Sequence, residues 1–425
     1  MNAPAAPPLK PFRPFKPLLP LDDALAQLLA AAEPLAGCDW VSTFEADGRV
    51  LAQDVVSALQ VPAFDNSSMD GYALRAQDLQ SGGATLRVAQ RIAAGSVGQR
   101  LEPGTTARIF TGAPVPPGAD AVVMQEDCTI IHGGADGQLA EVQVNGIPAP
   151  GQFIRRAGED VQRGQCVLSA GTRLGPAALG LAASIGMAQL PVARQPRVAL
   201  FSTGDELVMP GAVEPQDMPL GSIYNSNRFF LRALLRRMGC EVSDLGIVPD
   251  DRASTIAALQ AAAADNDLIL TSGGVSVGEE DHIKPAVQSL GSLDLWQIAI
   301  KPGKPFAHGR IGQAHFIGLP GNPVSSFVTF LLLVRPFVLR LQGVQQLAIQ
   351  SIAARADFDW AKPDKRREFL RVRRNANGGL DLFGNQSSGV LTSAVWGDGV
   401  VDVPPGQPIA PGQMVRYIPF GELLL

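Results

Sequence analysis

The chain has 425 residues, of which 46% are hydrophobic and 18% are charged, and its formal net charge is −5 at pH 7. This composition is that of a globular protein, and the length predicts several domains, each with its own core. The slightly acidic balance argues against nucleic acid as the main partner. The longest apolar run, Phe327 to Val334, falls short of the roughly 20 residues that a membrane-spanning helix needs, so no membrane segment is predicted.

The cysteines and the N-terminus bear on the cellular compartment. Cys38, Cys128, Cys166 and Cys240 lie far apart and form no CxxC pair. This spacing argues against a disulfide framework or a zinc site, and it suits a reducing cytoplasm. Residues 1–18 are rich in proline and contain no continuous apolar segment. They are therefore predicted to form a disordered tail rather than a secretory signal.

The first half of the chain predicts one small domain that is interrupted by another. An amphipathic helix is predicted over 21–31, and a helix of small residues begins at Pro176. Between them lie short β-like runs broken by glycine and proline. We therefore predict a connecting domain formed by residues 19–47 and 152–192, and a β-rich inserted domain formed by residues 48–151.

Short apolar strands alternate with helices between residues 193 and 343, which predicts a mainly parallel sheet covered by helices on both faces. The predicted strands are 197–202, 241–248, 267–272 and 314–319, and the predicted helices are 226–238, 253–264 and one that begins near Pro323. Residues 344–425 are again β-like, so a barrel-like C-terminal domain is predicted. The fold class is thus multidomain α/β plus β, with a central three-layer α/β domain flanked by β-rich domains.

Three loops with unusual sequences follow predicted strands of the α/β domain. Because ligands of a parallel sheet bind beyond the carboxyl ends of its strands, these loops are predicted to meet. Their hydroxyl groups, glycines and backbone amides suit a bound phosphate, although each glycine alone could simply form a turn. The candidate substrate-binding residues are Ser202, Thr203 and Gly204; Thr271, Ser272, Gly273, Gly274 and Ser276; and Pro320, Gly321, Asn322 and Pro323.

Three acidic residues are predicted at the same end of the sheet: Glu206, Asp250 and Asp281. Carboxylates beside a bound phosphate need a cation between them, and Mg²⁺ prefers oxygen ligands. Each residue also has a purely structural interpretation. Glu206 could lie in the first turn of a helix, Asp250 could cap the helix near Ala253, and Asp281 could cap the helix that follows it.

Two lysines, Lys301 and Lys304, flank prolines in the segment IKPGKP. They are candidates for binding a second anion as point charges. The alternative is that both are solvated surface side chains. His282, His308 and His315 are predicted to be ordinary polar or packed residues rather than ligands.

Polar loops in and beside the inserted domain form another candidate group. Asp70 lies in FDNSSMDGYA, Thr111 in RIFTGAPVPPGADAVV and Asp160 in GEDV. Asparagine, serine, aspartate and glycine are also the residues that turns prefer. Taken alone, these loops therefore do not define a reaction.

In chain order, these segments resemble the molybdopterin molybdenumtransferase family, which comprises bacterial MoeA and the E domain of gephyrin. The resemblance is carried by FDNSSMDGYA, RIFTGAPVPPGADAVV, GEDV, FSTGDEL, TSGGVSVGEEDHIK, IKPGKPFAHG and GLPGNPVSSFVTF. It implies an elongated four-domain subunit that works as a homodimer. It also implies that the enzyme inserts molybdate into adenylylated molybdopterin, with Mg²⁺ assisting and AMP released.

The resemblance further implies roles for single residues. The implied catalytic residues are Asp70, Thr111, Asp160, Glu206, Asp250 and Asp281, of which the last three would also handle Mg²⁺. Asp70 and Thr111 would belong to a wall of the site that the inserted domain of the partner subunit contributes. Asp160 would lie in the connecting domain near that wall.

Other implied roles concern the substrate. Lys301 and Lys304 would bind molybdate or the pterin phosphate. Arg371, Ser387 and Ser388 would bind the pterin. Pro320 and Pro323 would shape the loop over the site. Gln297 departs from the family pattern, because some members carry a lysine there. This departure puts a three-lysine molybdate site in doubt.

Two other functions stay open at this point. Related domains with a strand and a TxGG loop transfer an adenylyl group onto molybdopterin, but the segment VSVGEED and the additional domains favour molybdenum insertion. A non-catalytic scaffold of the gephyrin type would have no need for the three acidic residues. No nucleic acid or membrane partner is expected. The sequence leaves open whether a molybdopterin adenylyltransferase hands over its product directly.

Overall fold

Three six-stranded sheets organise the chain, for which a computed structural model describes residues 18–79, 83–132, 141–275 and 282–424. The elements of the N-terminal half are α1 (Leu21–Ala30), β1 (Cys38–Ser42), β2 (Val55–Val56), β3 (Asn66–Ser67), β4 (Gly71–Leu74), β5 (Ala84–Ile92), β6 (Thr105–Ile109), β7 (Ala121–Met124), β8 (Cys128–His132), β9 (Glu141–Val144), β10 (Ile154–Arg155), β11 (Cys166–Leu168), α2 (Pro176–Ser184) and β12 (Gln189–Ala193). The predicted tail, residues 1–18, lies outside the described residues except for Leu18.

Nested strand pairs lead out to the inserted domain and back. The antiparallel pairs β1–β12, β2–β11 and β3–β10 hold residues 38–67 against residues 154–193. At the far end, β7, β4, β6, β5, β9 and β8 form one sheet in that order. The β-rich character predicted for this region is confirmed, while the limits of the domains remain predictions.

The α/β domain contains the second sheet. Its elements are β13 (Arg197–Thr203), β14 (Leu207–Val208), β15 (Ile223–Tyr224), α3 (Asn227–Arg237), β16 (Glu241–Val248), α4 (Arg252–Asp265), β17 (Leu268–Ser272), α5 (Ile283–Leu290), β18 (Gly291–Gln297), β19 (Ile300–Lys301), β20 (Pro305–Ile311), β21 (Ala314–Leu319), α6 (Pro323–Thr329) and α7 (Arg335–Leu341). The sheet order is β16-β13-β17-β21-β20-β18. Its first four strands are parallel, and β20 is antiparallel to β21. β18 pairs antiparallel with β20 and so runs in the direction of the first four, which confirms a mainly parallel sheet.

Both faces of this sheet are covered by helices. On one face Leu200 and Leu270 pack in a cluster with residues of α1, α3, α6 and α7. On the other face Phe201 and Ile269 pack with residues of α4 and α5. Because both faces are buried, the strands are continuous apolar runs without polar alternation. The predicted three-layer arrangement is confirmed.

The helical stretch from Pro323 to Leu341 is the longest apolar one in the described residues. It is continuous from α6 through a π-helical turn, Phe330–Val334, into α7, and spans 19 residues. By length and composition alone this helix could cross a membrane. The sequence had indicated only the shorter apolar run from Phe327 to Val334, which could not. Most of it is buried inside the α/β core, where Leu333 and Phe337 are fully covered. It therefore packs as the core helix of this domain.

The C-terminal domain is a small closed barrel. Its elements are β22 (Ile352–Ala356), β23 (Arg367–Arg374), β24 (Gly379–Leu382), α8 (Thr392–Trp396), β25 (Gly399–Val403), β26 (Met414–Pro419) and α9 (Phe420–Leu424). Pairing runs from β23 through β24, β22, β26 and β25 back to β23. The short strand β19 of the α/β domain also pairs with β23, so the two domains share a sheet.

Two histidines lie side by side within the α/β domain. His308 on β20 is 7% exposed and His315 on β21 is 4% exposed, and their ring centroids are 5.8 Å apart. Burial lowers the pKa of each imidazole to about 4. Within this shift the charge of Arg310 acts in the same direction as burial at both rings, while the charge of Asp294 at His308 and that of Asp267 at His315 raise the pKa. As predicted, both are packed residues, and both are neutral in the folded protein near pH 7.

We predict that the protein loses stability as the pH falls from about 6.5 to 4. In that range an unfolded histidine, with a pKa of about 6.5, binds a proton that the folded protein does not bind. Each histidine should lower the free energy of unfolding at pH 5 by about 1–2 kcal/mol relative to pH 7.5. Urea unfolding at the two pH values measures this difference. The double variant His308→Phe/His315→Phe should lose most of it, and the control His282→Gln should retain it; an unaltered difference in the double variant would refute the assignment.

Candidate active site at the strand ends

A cleft of about 580 Å³ opens where β13, β17 and β21 end. These three strands are neighbours in the sheet and run in the same direction, so their carboxyl ends meet at one edge. The lining of the cleft includes Thr203 from the first loop, Ser272 and Gly273 from the second, and the segment 320–323 from the third. The structure thus brings together the three loops that the sequence singled out.

Glycine permits the close contact between these loops. Gly273 has a φ of +97°, and a Cβ atom there would lie 2.9 Å from the carbonyl oxygen of Thr203. Its amide donates to the carbonyl of Leu319 at 3.1 Å, which ties the second loop to the end of β21. A Cβ on Gly321 would lie 4.0 Å from the Cα of Gly273. A larger side chain at Gly273 would separate the loops.

Asn227, at the start of α3, connects two of the loops and was missed by the sequence analysis. Its Nδ2 group donates to Ser272 Oγ and to the carbonyl oxygen of Gly321, each at 2.7 Å. The side chain is 8% exposed and lines the cleft. The segment Asn225-Ser226-Asn227 was interpreted only as the beginning of a helix. Asn227 could have been recognised as a candidate site residue, because an asparagine side chain that is buried needs specific hydrogen-bond acceptors.

Other predicted residues of the loops lie beside the cleft rather than on its wall. Ser202 and Thr271 are buried, and neither hydroxyl has a hydrogen-bond partner among the described residues. At Gly274 a Cβ atom would lie 2.7 Å from Ile283 Cδ1, so this glycine allows α5 to approach. Ser276 lies outside the described residues. The wall is therefore formed by a subset of the predicted residues.

The predicted acidic set is only partly assembled. Glu206 is exposed and lines the cleft. Asp250 does not line it, and its backbone amide donates to Asp205 Oδ1 at 3.4 Å. Asp281 lies outside the described residues, as does its predicted capping of the next helix. Within the described part of the chain, no group of three His, Cys, Asp or Glu side chains could hold a metal ion.

The N-cap of α4 is Asp251 rather than Asp250. Asp251 Oδ1 accepts the amide proton of Ser254 at 2.9 Å, and hydrogen bonding by Ser254 lowers the pKa of the carboxyl. The alternative that Asp250 caps this helix is therefore wrong, because α4 begins at Arg252, one residue earlier than predicted.

The oxygen donors at the cleft fit a hard cation such as Mg²⁺. This ion is commonly bound through one or two carboxylates together with phosphate oxygens of the substrate and water. Glu206 supplies one carboxylate on the wall, and the glycine loops supply space for a phosphate. The donor set contains no cysteine or histidine, which agrees with that chemistry.

The two lysines lie at the junction with the barrel. Lys301 Nζ is 3.1 Å from Glu368 Oε1 and 3.5 Å from Asp364 Oδ2, so this lysine is held in ion pairs rather than freely solvated. Lys304 is half-buried, and its neighbour Pro305 lines the cleft. Neither lysine is itself part of the wall.

Arg371 and the turn that contains Ser387 and Ser388 meet the cleft indirectly. The Arg371 side chain is buried and donates to Ser393 Oγ and to the carbonyl oxygens of Phe369 and Ser387. Burial lowers the pKa of its guanidinium to about 10. The carbonyl of Ser388 accepts the amide proton of Val324 at 2.9 Å, at the start of α6. Arg371 thus supports the turn, and the turn reaches the cleft.

Asp70 and Thr111 form a pair on the inserted domain. Asp70 Oδ1 accepts hydrogen bonds from the amide and the hydroxyl of Thr111, both at 2.8 Å. These bonds lower the pKa of the Asp70 carboxyl, which is exposed. Asp160 is also exposed, and its amide donates to the carbonyl oxygen of Val61. None of these residues lines the cleft of the same subunit.

The cysteines offer no obvious nucleophile at this site. All four are free thiols. Burial raises the pKa of Cys240 to about 12 and that of Cys128 to about 11. Both are therefore protonated near pH 7 and unreactive, because the thiolate is the nucleophilic form.

A second hollow, of about 590 Å³, lies between α1 and the barrel. Its charged lining residues are mutually paired, as in the contact of 2.6 Å between Arg367 Nε and Asp402 Oδ1. None of the three glycine-containing loops reaches it. The cleft at the strand ends is therefore the candidate active site.

Comparison with known proteins identifies the family of this chain. Three family profiles match in order: the MoeA N-terminal region (domain I and II) over residues 19–186, a probable molybdopterin binding domain over 199–340, and the MoeA C-terminal region (domain IV) over 353–420. The molybdopterin molybdenumtransferase of Haemophilus influenzae is 45% identical over 327 residues, which are 77% of this chain and 78% of that protein. The chain belongs to the molybdopterin molybdenumtransferase family.

Further members of the molybdopterin molybdenumtransferase family agree in length and architecture. Molybdopterin molybdenumtransferase 2 of Mycobacterium tuberculosis is 38% identical over 395 residues, covering 89% of this chain and 93% of that protein. A crystal structure of the molybdopterin biosynthesis MoeA protein from Pyrococcus horikoshii superposes with a TM-score of 0.81 at 28% identity, covering 95% of this chain and 100% of that chain. The predicted family and fold class are confirmed.

We predict that Asn227→Ala lowers the free energy of unfolding by about 2–3 kcal/mol, because Ser272 and Gly321 both lose a hydrogen-bond donor in a buried place. Urea unfolding measures the change. The control is Asn266→Ala, which removes a single bond to the carbonyl of Ala262 at the end of α4 and should cost about 1 kcal/mol or less. If the two variants lose equal free energy of unfolding, the hydrogen bonds of Asn227 between the loops stabilise the protein no more than a single bond at a helix end does.

Proposed function

We propose that this protein inserts molybdenum from molybdate into adenylylated molybdopterin bound in the cleft, with Mg²⁺ assisting and AMP released. The observation that carries the proposal is the meeting of three strand-end loops within the segment matched by a probable molybdopterin binding domain. The names of the curated relatives support the same reaction. A soluble enzyme of cofactor biosynthesis with four free thiols fits the cytoplasm.

The loops suit an anionic ligand that carries a phosphoanhydride. A phosphate can approach the backbone at Gly273 and Gly321 closely, because neither residue has a side chain. Thr203 and Ser272 add hydroxyl groups on the same wall. Mg²⁺ held by Glu206, with Asp250 and Asp281 as further candidates, would neutralise charge on the phosphate. The residues of the cleft therefore bind and orient the substrate.

Catalysis by positioning agrees with the chemistry of the site. In transfer, two dithiolene sulfurs replace one oxygen of molybdate, which leaves with their two protons as water. One water oxygen adds to phosphorus as the phosphoanhydride bond breaks and AMP leaves. No covalent nucleophile is needed for this step, and Cys128 and Cys240 are protonated near pH 7. We propose that the protein lowers the barrier by holding two anions at fixed positions and compensating their charge. Lys301, Lys304 and the turn supported by Arg371 would hold the oxyanion and the pterin.

We further propose that the active form is a homodimer in which Asp70 and Thr111 of the partner subunit close the cleft. Two large apolar side chains of the connecting domain, Trp40 and Phe44, are 59% and 94% exposed. The helix α2 is composed mainly of small apolar residues, yet it buries only Ala182. Contact with a second copy would cover such a surface.

The first test is AMP release from adenylylated molybdopterin by the purified protein. We expect release to require both molybdate and Mg²⁺, and Glu206→Gln to slow it by about 100-fold or more, because the cleft loses its carboxylate. The matched control Glu214→Gln, an exposed residue outside the cleft, should behave as the wild type. Release without molybdate, or formation of adenylylated molybdopterin from ATP, would overturn the proposal.

A mixing experiment tests the shared site. Asp70→Ala and Glu206→Ala should each be nearly inactive alone. After subunit exchange of equal amounts, about half of the dimers carry both variants, and each of these has one intact site, so about one quarter of wild-type activity should return. Exchange is verified by mass spectrometry of differently tagged subunits. No recovery in verified mixed dimers would place Asp70 in the same subunit's site or outside it.

A further inference from the structure

We propose that Glu368 of the barrel, assisted by Asp364, is a positioning residue that fixes the ammonium group of Lys301 beside the cleft for binding the tetrahedral oxyanion. The inference rests on the proposed function, because it concerns the anion that the site takes. It adds a role for two acidic residues of the barrel, which the sequence motifs did not point to.

The pairing of two strands places the charges opposite each other. Lys301 lies on β19, which leaves the α/β domain and pairs in parallel with β23 of the barrel. In this register Lys301 is the direct partner of Glu368, and the neighbouring pair is Ile300 with Arg367. Opposite charges at facing positions of two strands attract each other. The position of Lys301 is therefore set by the sheet that joins the two domains.

Glu368 is itself held rigidly. Its side chain is 1% exposed, and its Oε2 atom accepts hydrogen bonds from Trp360 Nε1 at 2.9 Å and from the amide of Asp364 at 2.8 Å. Its Oε1 atom has no aligned hydrogen bond among the described residues but faces Lys301 Nζ at 3.1 Å. A buried carboxylate needs a compensating charge, and this ammonium group supplies it. The pair is thus an ion pair with a fixed acceptor.

Asp364 holds the ammonium group of Lys301 less tightly than Glu368 does, because both carboxylate oxygens of Asp364 already accept hydrogen bonds from Arg366. Arg366 donates to both oxygens of Asp364, at 2.9 and 2.8 Å, whereas Lys301 Nζ lies 3.5 Å away. The four side chains together are neutral. An oxyanion that binds Lys301 is therefore not repelled by a net negative cluster.

Lys301 keeps the freedom to bind a ligand. Its side chain is 38% exposed, and an ammonium group has three donors, of which Glu368 and Asp364 face two. Lys301 precedes Pro305, a residue of the cleft wall, by four positions, and Gly389 brings the barrel to the same wall. A lysine side chain loses much rotational freedom on binding, so one that is already fixed binds its anion more tightly.

The test is a double-mutant cycle on molybdate-dependent AMP release. Glu368→Gln should raise the KM for molybdate about tenfold and change kcat at saturating molybdate by less than about twofold, because it loosens the lysine without removing it. In a Lys301→Ala background the same substitution should have no further effect on KM. Calorimetric titration with molybdate, in the presence of bound adenylylated molybdopterin without Mg²⁺, should show the same pattern without turnover.

Controls separate positioning from stability. Asp402→Asn removes another buried, ion-paired carboxylate of the barrel, 3% exposed, and should lower the Tm without changing the KM. If Glu368→Gln does not fold, Asp364→Asn replaces it, with an expected increase in KM of about two- to threefold. A folded Glu368→Gln with unchanged KM, or effects that add to those of Lys301→Ala, would overturn the inference. A wild type that releases no AMP would instead reject the proposed function.

Discussion

The close approach of three loops at one edge of a parallel sheet is the constraint on which the rest of the structure depends. Adjacent strands β13, β17 and β21 end together, and their loops touch because Gly273 and Gly321 have no side chains. Asn227 then ties two of the loops through hydrogen bonds of 2.7 Å. The cleft is thus preformed by backbone geometry, and polar groups lie on its wall before any ligand binds.

A second constraint is the sharing of strands between domains. β19 belongs in sequence to the α/β domain but completes the sheet of the barrel, so the lysine segment cannot move independently of Glu368. The nested pairs β1–β12, β2–β11 and β3–β10 lead to the sheet of the inserted domain, and neither Asp70 nor Thr111 of that domain lines the cleft. This separation of Asp70 and Thr111 from the cleft is the physical reason for proposing a site completed by a partner.

Local patterns were sufficient for the four parallel strands of the α/β domain and the helices between them. They did not predict strands β18 and β20 of the same sheet, or the contacts between elements. The predicted strands and helices around the cleft lie within two residues of the observed ones, because apolar runs, Pro323 and the glycines act locally. The alternative that Asp250 caps α4 is wrong, because the adjacent Asp251 is the residue directly before the helix and accepts the amide proton of Ser254. Asn227 was missed, because its two acceptors are distant in sequence.

The sequence by itself determined the family through the resemblance of its motifs. It also determined the fold class and the loops that form the cleft, because hydrophobic periodicity and glycine positions act through the local backbone. Only the tertiary structure decided which polar groups meet. It placed Glu206 on the wall, Lys301 against Glu368 and Arg371 beneath a turn, and it kept Asp70 and Thr111 apart from the cleft. Such encounters depend on strand order and register across domains, which no local pattern encodes.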